Sequence, residues 1–446
     1  MKTVITYGTF DLLHQGHINL LKRAKELGDY LIVGVTADDF DKRRGKINVT
    51  QSLIDRVEAV KATGIADKII VEEYDGQKID DVKKYNVDIF TVGTDWVGRF
   101  DYLSNLCKVV YLPRTEGISS SDERAANRSL RFGLVGESQI AQKMFKEASF
   151  INGLKVTGVY AEDTSKFSDE LKELLWNDSY GKFLNEVDAV FVVSPPDSRY
   201  EYISSALKQR KHVLCESPIA LSVKECEELF KLAEENNCIL MESIKTAYSV
   251  SYYRLLLLSK IGEIGKIVSV DSTCTSLIDP KVKNLKYEEK GIYSWGPTAL
   301  LPVFQLLGND YKSKSIVVGY LNSEERFDGF TNIHLIYDNA VANVKVGRGV
   351  KAEGELIIAG TKGYIYVPAP WWKTDYFEIR FENPANNKRV FYQLDGEGIR
   401  NELVTFVKSI ESEKDLSYIS KSTTLAIVQI LECFEKNKHL TTIDIN

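Results

Sequence analysis

The sequence predicts an α/β chain: two doubly wound parallel-sheet units in succession, then an α+β region whose sheet is mostly antiparallel. Three observations carry this. Short apolar, β-rich runs alternate with helical patterns through the first 120 or so residues, which is how a buried parallel sheet with crossover helices reads. The alternation stops in a polar stretch and restarts at residue 130. After about residue 262 the period changes, and strands that alternate polar and apolar residues follow one another across short Gly/Asn/Asp turns. The expected domains are 1–125, 130–245 and 246–446.

Element by element, strands are expected at 3–7, 30–36, 68–71, 88–92 and 108–112. In 18–27, Ile18, Leu21 and Ala24 fall on one helical stripe that Leu20 and Leu27 widen; in 51–62, Leu53, Val57 and Val60 do the same. The stretch SSSDERAANRS at 119–129 carries no strand, and its later part reads as a linker. LRFGLVGES then opens a strand–turn–helix unit over 130–147, followed by VTGVYA and by strands at 188–196, 211–218 and 238–243. The tail offers KIVSVDSTCTSL, SIVVGYL, TNIHLIYD, AVANVKVGR, GELIIAG, GYIYVP and YFEIRFE as strands, and helices at 401–412 and 421–435.

The composition excludes several classes. With 44% apolar and 27% charged residues over 446 positions, this is an ordinary globular chain of two or three domains. Net charge is −6 and there is no long basic run, RRGK at 43–46 being short, so nucleic acid is not an expected partner. No signal peptide and no membrane span are expected. The six cysteines are scattered without a CxxC pair, which argues against zinc or redox motifs and for a reducing cytoplasm. A homo-oligomer is expected.

The stretch GTFDLLHQGH, Gly8 to His17, holds two of the five histidines three residues apart. A buried strand ends at Tyr7, Gly8 permits close backbone approach, and a helix begins near Gly16–His17. The helix start is an anion site at the sheet edge where doubly wound folds bind ligands. Both imidazoles can donate to phosphate oxygens as charge builds in a displacement at phosphorus, and Gly16 leaves room for a nucleotide.

This stretch resembles the HxGH signature of the nucleotidyltransferase superfamily. Together with RTEGISSS at 114–121 and VGTDWVGRFDYL, it is similar to the glycerol-3-phosphate cytidylyltransferase family over residues 1–121. The resemblance implies that His14 and His17 stabilise the α-phosphate transition state. It places Gly8, Thr9, Phe10, Asp11 and Gly16 around CTP, and Lys46, or Arg43 or Arg44 in its stead, on phosphate. Arg56 and Trp96 fall near the acceptor and Asp95 near base and acceptor, while Arg114, Thr115, Ser119 and Ser120 hold the CTP phosphates. A cap or turn for Asp95 and a surface ion pair for Arg56 remain alternatives. Mg²⁺ is expected with CTP and no metal on protein side chains.

In the second half, LRFGLVGESQIAQKMF reads as a glycine-rich turn: Gly136, then Ser138 where a second glycine is usual, with Gln139, Ile140 and Ala141 behind it. DAVFVVSPPDSRYEYISSALKQRKHVLCESPIALS resembles the Gfo/Idh/MocA oxidoreductases, which implies NAD or NADP and a role for Glu216 in binding it. The residues at the family's usual catalytic positions are Ser217, Ser294 and Thr298, and none exchanges a proton near neutral pH. Lys245 is the candidate acid/base, with Tyr293 the other. His212, His334 and His439 read as structural. The expected function is CMP transfer from CTP to a polyol phosphate. The second half is either a keto-sugar-phosphate reductase or a non-catalytic dimerisation or ligand-sensing module. Glycerol phosphate, longer alditol phosphates and choline-like phosphates all remain open as acceptors.

Overall fold

The structure, a computed structural model, describes residues 1–37, 53–74, 76–113, 129–151, 153–165, 167–278, 290–322, 326–373, 375–391 and 395–445. The expected linker, up to residue 128, lies outside them. The chain divides into two units, Met1–Ser129 with Ser149–Lys155, and Leu130–Ala148 with Val156–Asn446.

The first unit carries strands β1 (Thr3–Gly8), β2 (Tyr30–Thr36), β3 (Lys68–Glu72), β4 (Ile89–Gly93) and β5 (Lys108–Leu112). They form one sheet in the order β3-β2-β1-β4-β5, parallel throughout. Successive side chains point to opposite faces. Val4, Leu31 and Val33 pack with Leu21 and Val60 of helices Gln15–Glu26 and Leu53–Ala62. Ile5, Tyr7, Ile32 and Phe90 pack with Val82 of helix Gln77–Lys84 on the other side. The strand order reverses between β1 and β4, which sets the ligand crevice at the carboxyl end of β1.

The second unit begins with β6 (Leu130–Val135), β7 (Leu154–Tyr160), β8 (Ala189–Val192), β9 (His212–Glu216) and β10 (Leu240–Ser243), ordered β10-β9-β8-β6-β7. The β6/β8, β8/β9 and β9/β10 pairs are parallel, and the order reverses beside β6. Val190, Val192, Val213 and Leu240 pack against Ile203, Leu207, Cys226 and Leu229.

A nine-stranded sheet follows: β11 (Ile267–Thr275), β12 (Ser313–Asn322), β13 (Phe327–Ile336), β14 (Val341–Gly347), β15 (Leu356–Gly360), β16 (Gly363–Val367), β17 (Tyr376–Phe381), β18 (Lys388–Phe391) and β19 (Leu440–Ile443). It is mostly antiparallel as expected, but β11/β14 and β12/β19 are parallel. Parallel neighbours need a crossover. Helix Gly291–Leu307 lies in the connection from β11 to β14, and helix Lys421–Glu435 in the connection from β12 to β19. His212 and His334 are structural, as expected: His212 Nδ1 accepts from the Ile239 amide, and His334 pairs with Asn343.

Candidate active sites

In the first unit, β1 hands the chain to Thr9–His14 at the switch point, and helix Gln15–Glu26 starts immediately after. Phe10 and Leu12 take left-handed backbone, at φ 54° and 47°. That conformation is uncommon for residues with a Cβ and clusters at functional loops. A Cβ on Gly8 would stand 2.9 Å from the Phe10 ring. So the space beside Gly8 is taken by the chain's own phenyl group rather than kept for a ligand. Phe10 is buried in the core with Leu21 and Val33, and it shapes the loop from below. Thr9 and Asp11 are buried as well.

His14 is the helix N-cap. Its backbone is extended (φ −118°, ψ 175°) and its Nδ1 accepts the Gly16 amide at 3.1 Å. An accepting Nδ1 places the proton of the neutral ring on Nε2. The half-buried rings of His14 and His17 stack at 3.9 Å and 19°, and Phe10 meets His17 edge-on at 5.5 Å. The two imidazoles and the helix start therefore share one small region that is suited to an anion.

Arg56 is fully buried, which removes the surface ion-pair alternative. Its Nη1 donates to the carbonyls of Thr9 at 2.7 Å and Thr36 at 2.8 Å, tying helix Leu53–Ala62 to the ends of β1 and β2. Trp96 lies in the turn Thr94–Trp96 after β4, with the Arg99 guanidinium 5.4 Å from its ring. Lys46, Arg43, Arg44, Arg114, Thr115, Ser119 and Ser120 lie outside the described residues, as does the side chain of Asp95. Sequence reasoning missed a buried network at the same sheet edge: Tyr7 donates to Asp81 at 2.8 Å, Thr36 to Glu72 at 3.0 Å, and Lys78 pairs with Glu72.

The second unit contains a cavity of about 700 Å³. It brings together Ser138, Gln139, Ile140, Glu216 and Lys245, all singled out from sequence, with Ser217, Tyr293, Ser294 and Thr298. Gly136 shapes the entrance loop at φ 117°; a Cβ there would stand 2.5 Å from the Ser194 amide nitrogen. The glycine therefore lets the end of β6 cross the end of β8. Arg199, missed from sequence, fixes the strand ends by donating to the carbonyls of Ser194, Glu216 and Pro218 at 2.7–2.9 Å.

Burial pushes the Glu216 carboxyl up to about 7 against the pull of Arg199 and Lys245. Lys245 pairs with Glu397, which also holds Lys143 and Lys373 at 3.1 Å. Burial lowers the Lys245 ammonium while Glu397 opposes the shift. Burial would raise Glu397, but the lysines pull it down to about 2. Ser217 is engaged, its hydroxyl donating to buried Glu242, and the Tyr293 hydroxyl donates to Glu435. Trp295 and Trp372, also missed, line the cavity with ring centroids 4.8 Å apart. Glu397 lies in a Gly-Glu-Gly run at 396–398, the one local signal that could have flagged it.

The profile of the cytidylyltransferase-like family matches residues 5–207. Glycerol-3-phosphate cytidylyltransferase of Bacillus spizizenii is 46% identical over 130 residues, which are 29% of this chain and the whole of that protein. The scyllo-inositol 2-dehydrogenase (NADP(+)) IolU of Bacillus subtilis is 24% identical over 328 residues, covering 67% of this chain and 94% of that one. A crystal structure of KijD10, a 3-ketoreductase from Actinomadura kijaniata in complex with NADP and TDP-benzene, superposes with a TM-score of 0.63 at 17% identity, over 72% of this chain and all of that one. That likeness gives the second unit its fold, a Rossmann-type domain followed by a large mixed sheet. The whole-length match to the shorter relative, on a chain whose paired histidines meet at a switch-point helix start, gives the first its chemistry: the protein is a nucleotidyltransferase and belongs to the glycerol-3-phosphate cytidylyltransferase family, with an oxidoreductase-like unit in the same chain.

Proposed function

We propose that the first unit transfers CMP from CTP to a polyol phosphate, with glycerol 3-phosphate the first acceptor to test. The observation that carries this is the stacked His14–His17 pair at a helix start, in a chain 46% identical to a glycerol-3-phosphate cytidylyltransferase. An acceptor phosphate oxygen attacks the α-phosphorus of CTP, the bond to the β-phosphate oxygen breaks, and diphosphate leaves. His14 donates from Nε2 to the α-phosphate as its charge grows. Mg²⁺ enters with the triphosphate as part of the substrate. Lys46, Arg114, Thr115, Ser119 and Ser120 supply the phosphate cradle and Asp95 the base-proximal contact.

The second unit's cleft fits a dinucleotide: the Gly136 crossing, the helix start at Gln139 and the cavity share the carboxyl edge of the sheet. When bound, the nicotinamide supplies a hydride. Lys245 then holds the proton that a keto-sugar phosphate needs on its oxygen, and the alditol phosphate formed is an acceptor for the first unit. The engaged hydroxyls of Ser217 and Tyr293 favour a second reading, a ligand-sensing unit without turnover. Two assays on the full chain decide. Diphosphate release from CTP is measured with glycerol 3-phosphate, longer alditol phosphates and phosphocholine. Absorbance at the reduced-nicotinamide band is followed with keto-sugar phosphates, in parent and Lys245→Ala. Absence of diphosphate release with every acceptor refutes the first assignment. Cofactor oxidation in the parent rejects the sensing reading, and oxidation that survives Lys245→Ala removes that residue.

A further inference from the structure

The residue after Gly136 is Glu137, which lines the cavity. Its Oε1 accepts two backbone amides, from Glu162 at 3.2 Å and Asp163 at 2.9 Å. Those amides lie just beyond the end of β7 at Tyr160. In a doubly wound sheet the end of the second strand receives the adenosine ribose of a dinucleotide. A carboxylate there accepts from the 2′-hydroxyl of NAD, whereas NADP needs donors or cations for its 2′-phosphate. In this chain the residue after the strand is Ala161, which offers no carboxylate, and the glycine loop folds one onto the spot instead.

From this placement we propose that Glu137 makes the second unit's cleft selective for NAD(H) over NADP(H), an inference that rests on the dinucleotide-binding reading above. Two effects act together. The Glu162 and Asp163 amides, which could donate to a 2′-phosphate, are already taken. A negative charge stands where that phosphate would sit, and Glu162 adds another on the same stretch. Neither Glu137 nor Glu162 has an ion pair among the described residues. The second carboxylate oxygen of Glu137 makes no hydrogen bond among the described residues, which suits a ribose hydroxyl. The choice runs against both relatives, since IolU is named for NADP(+) and KijD10 was solved with NADP.

The test needs no turnover. NADH and NADPH are titrated into the full-length chain by nicotinamide fluorescence, and AMP and 2′-phospho-AMP by calorimetry. The expected result is NADH tighter by about tenfold or more, the effect of one carboxylate beside a phosphate at a partly solvated site. Glu137→Gln keeps an acceptor for the two amides and removes the charge. It should narrow the NADH/NADPH ratio by about tenfold, mainly through tighter NADPH. Equal or tighter NADPH binding in the parent overturns the proposal on its own, whether or not the variant folds. So does an unchanged ratio in a folded Glu137→Gln protein. Binding of neither cofactor overturns the dinucleotide reading, and the proposal with it.

Discussion

Replacing His14 separates two jobs that one side chain performs. Its Nδ1 caps helix Gln15–Glu26 through the Gly16 amide at 3.1 Å, and in the proposed reaction its Nε2 donates to phosphate. Loss of a cap of this kind costs about 1 kcal/mol. Loss of a transition-state donor costs ~10²–10³ in rate, or about 3–4 kcal/mol in the barrier. His14→Asn retains a side-chain oxygen that can take the Gly16 amide, so it should keep the stability of the first unit within a few tenths of a kcal/mol. It should nonetheless lose ~10²–10³ in cytidylyltransfer. His14→Ala loses both, and its first calorimetric transition should fall by a few degrees beside the same rate loss. Single-turnover CMP transfer from labelled CTP measures the rate, and scanning calorimetry of the same preparations measures the cap. An Asn variant within tenfold of the parent rate refutes the donor role. An Ala variant that melts with the parent refutes the cap.

Arg56→Met leaves the Thr9 and Thr36 carbonyls without their buried donor; the first unit should lose about 2–4 kcal/mol in urea unfolding, and an unchanged midpoint would show that the clamp adds nothing. Gly136→Ala drives a Cβ to 2.5 Å from the Ser194 amide nitrogen, at a φ of 117° that alanine resists; dinucleotide binding should vanish while cytidylyltransfer holds, and intact binding by calorimetry would contradict the crossing argument. Burial, then Glu216, raises the Glu402 carboxyl well above its usual range. A carboxyl raised on folding contributes most below its unfolded pKa of about 4.3 and loses that contribution as pH rises toward the folded value. Glu402→Gln should therefore gain melting temperature relative to the parent as pH goes from 5 to 8, and a constant difference across that range would refute the sign.

Much of this protein was written in local pattern. The strands of the first sheet lie within a residue of where the apolar runs place them, because a strand buried on both faces must be apolar along its whole length. GTFDLLHQGH located the switch-point loop because strand end, glycine and histidine spacing are all sequence-local. The glycine turn, Glu216, Lys245 and the substituted positions Ser217, Ser294 and Thr298 do meet in one cavity. Periodicity, however, reports that a residue is buried and not what it is buried against. Arg56 was expected near the acceptor, with a surface ion pair as the alternative, and only the approach of two strand ends makes it a backbone clamp. Lys245 finds its counter-ion 152 residues away, and Glu137 finds its amides 25 and 26 residues away. Those partners are chosen by the crossing of chain segments in space, which a linear pattern does not encode. The sequence by itself determined the order of elements and the nucleotidyltransferase chemistry of the first unit. The tertiary structure decided which nitrogen of His14 accepts the Gly16 amide, which carboxylate Lys245 pairs with, and where a carboxylate stands at the end of β7, because each depends on a hydrogen bond closed by the fold.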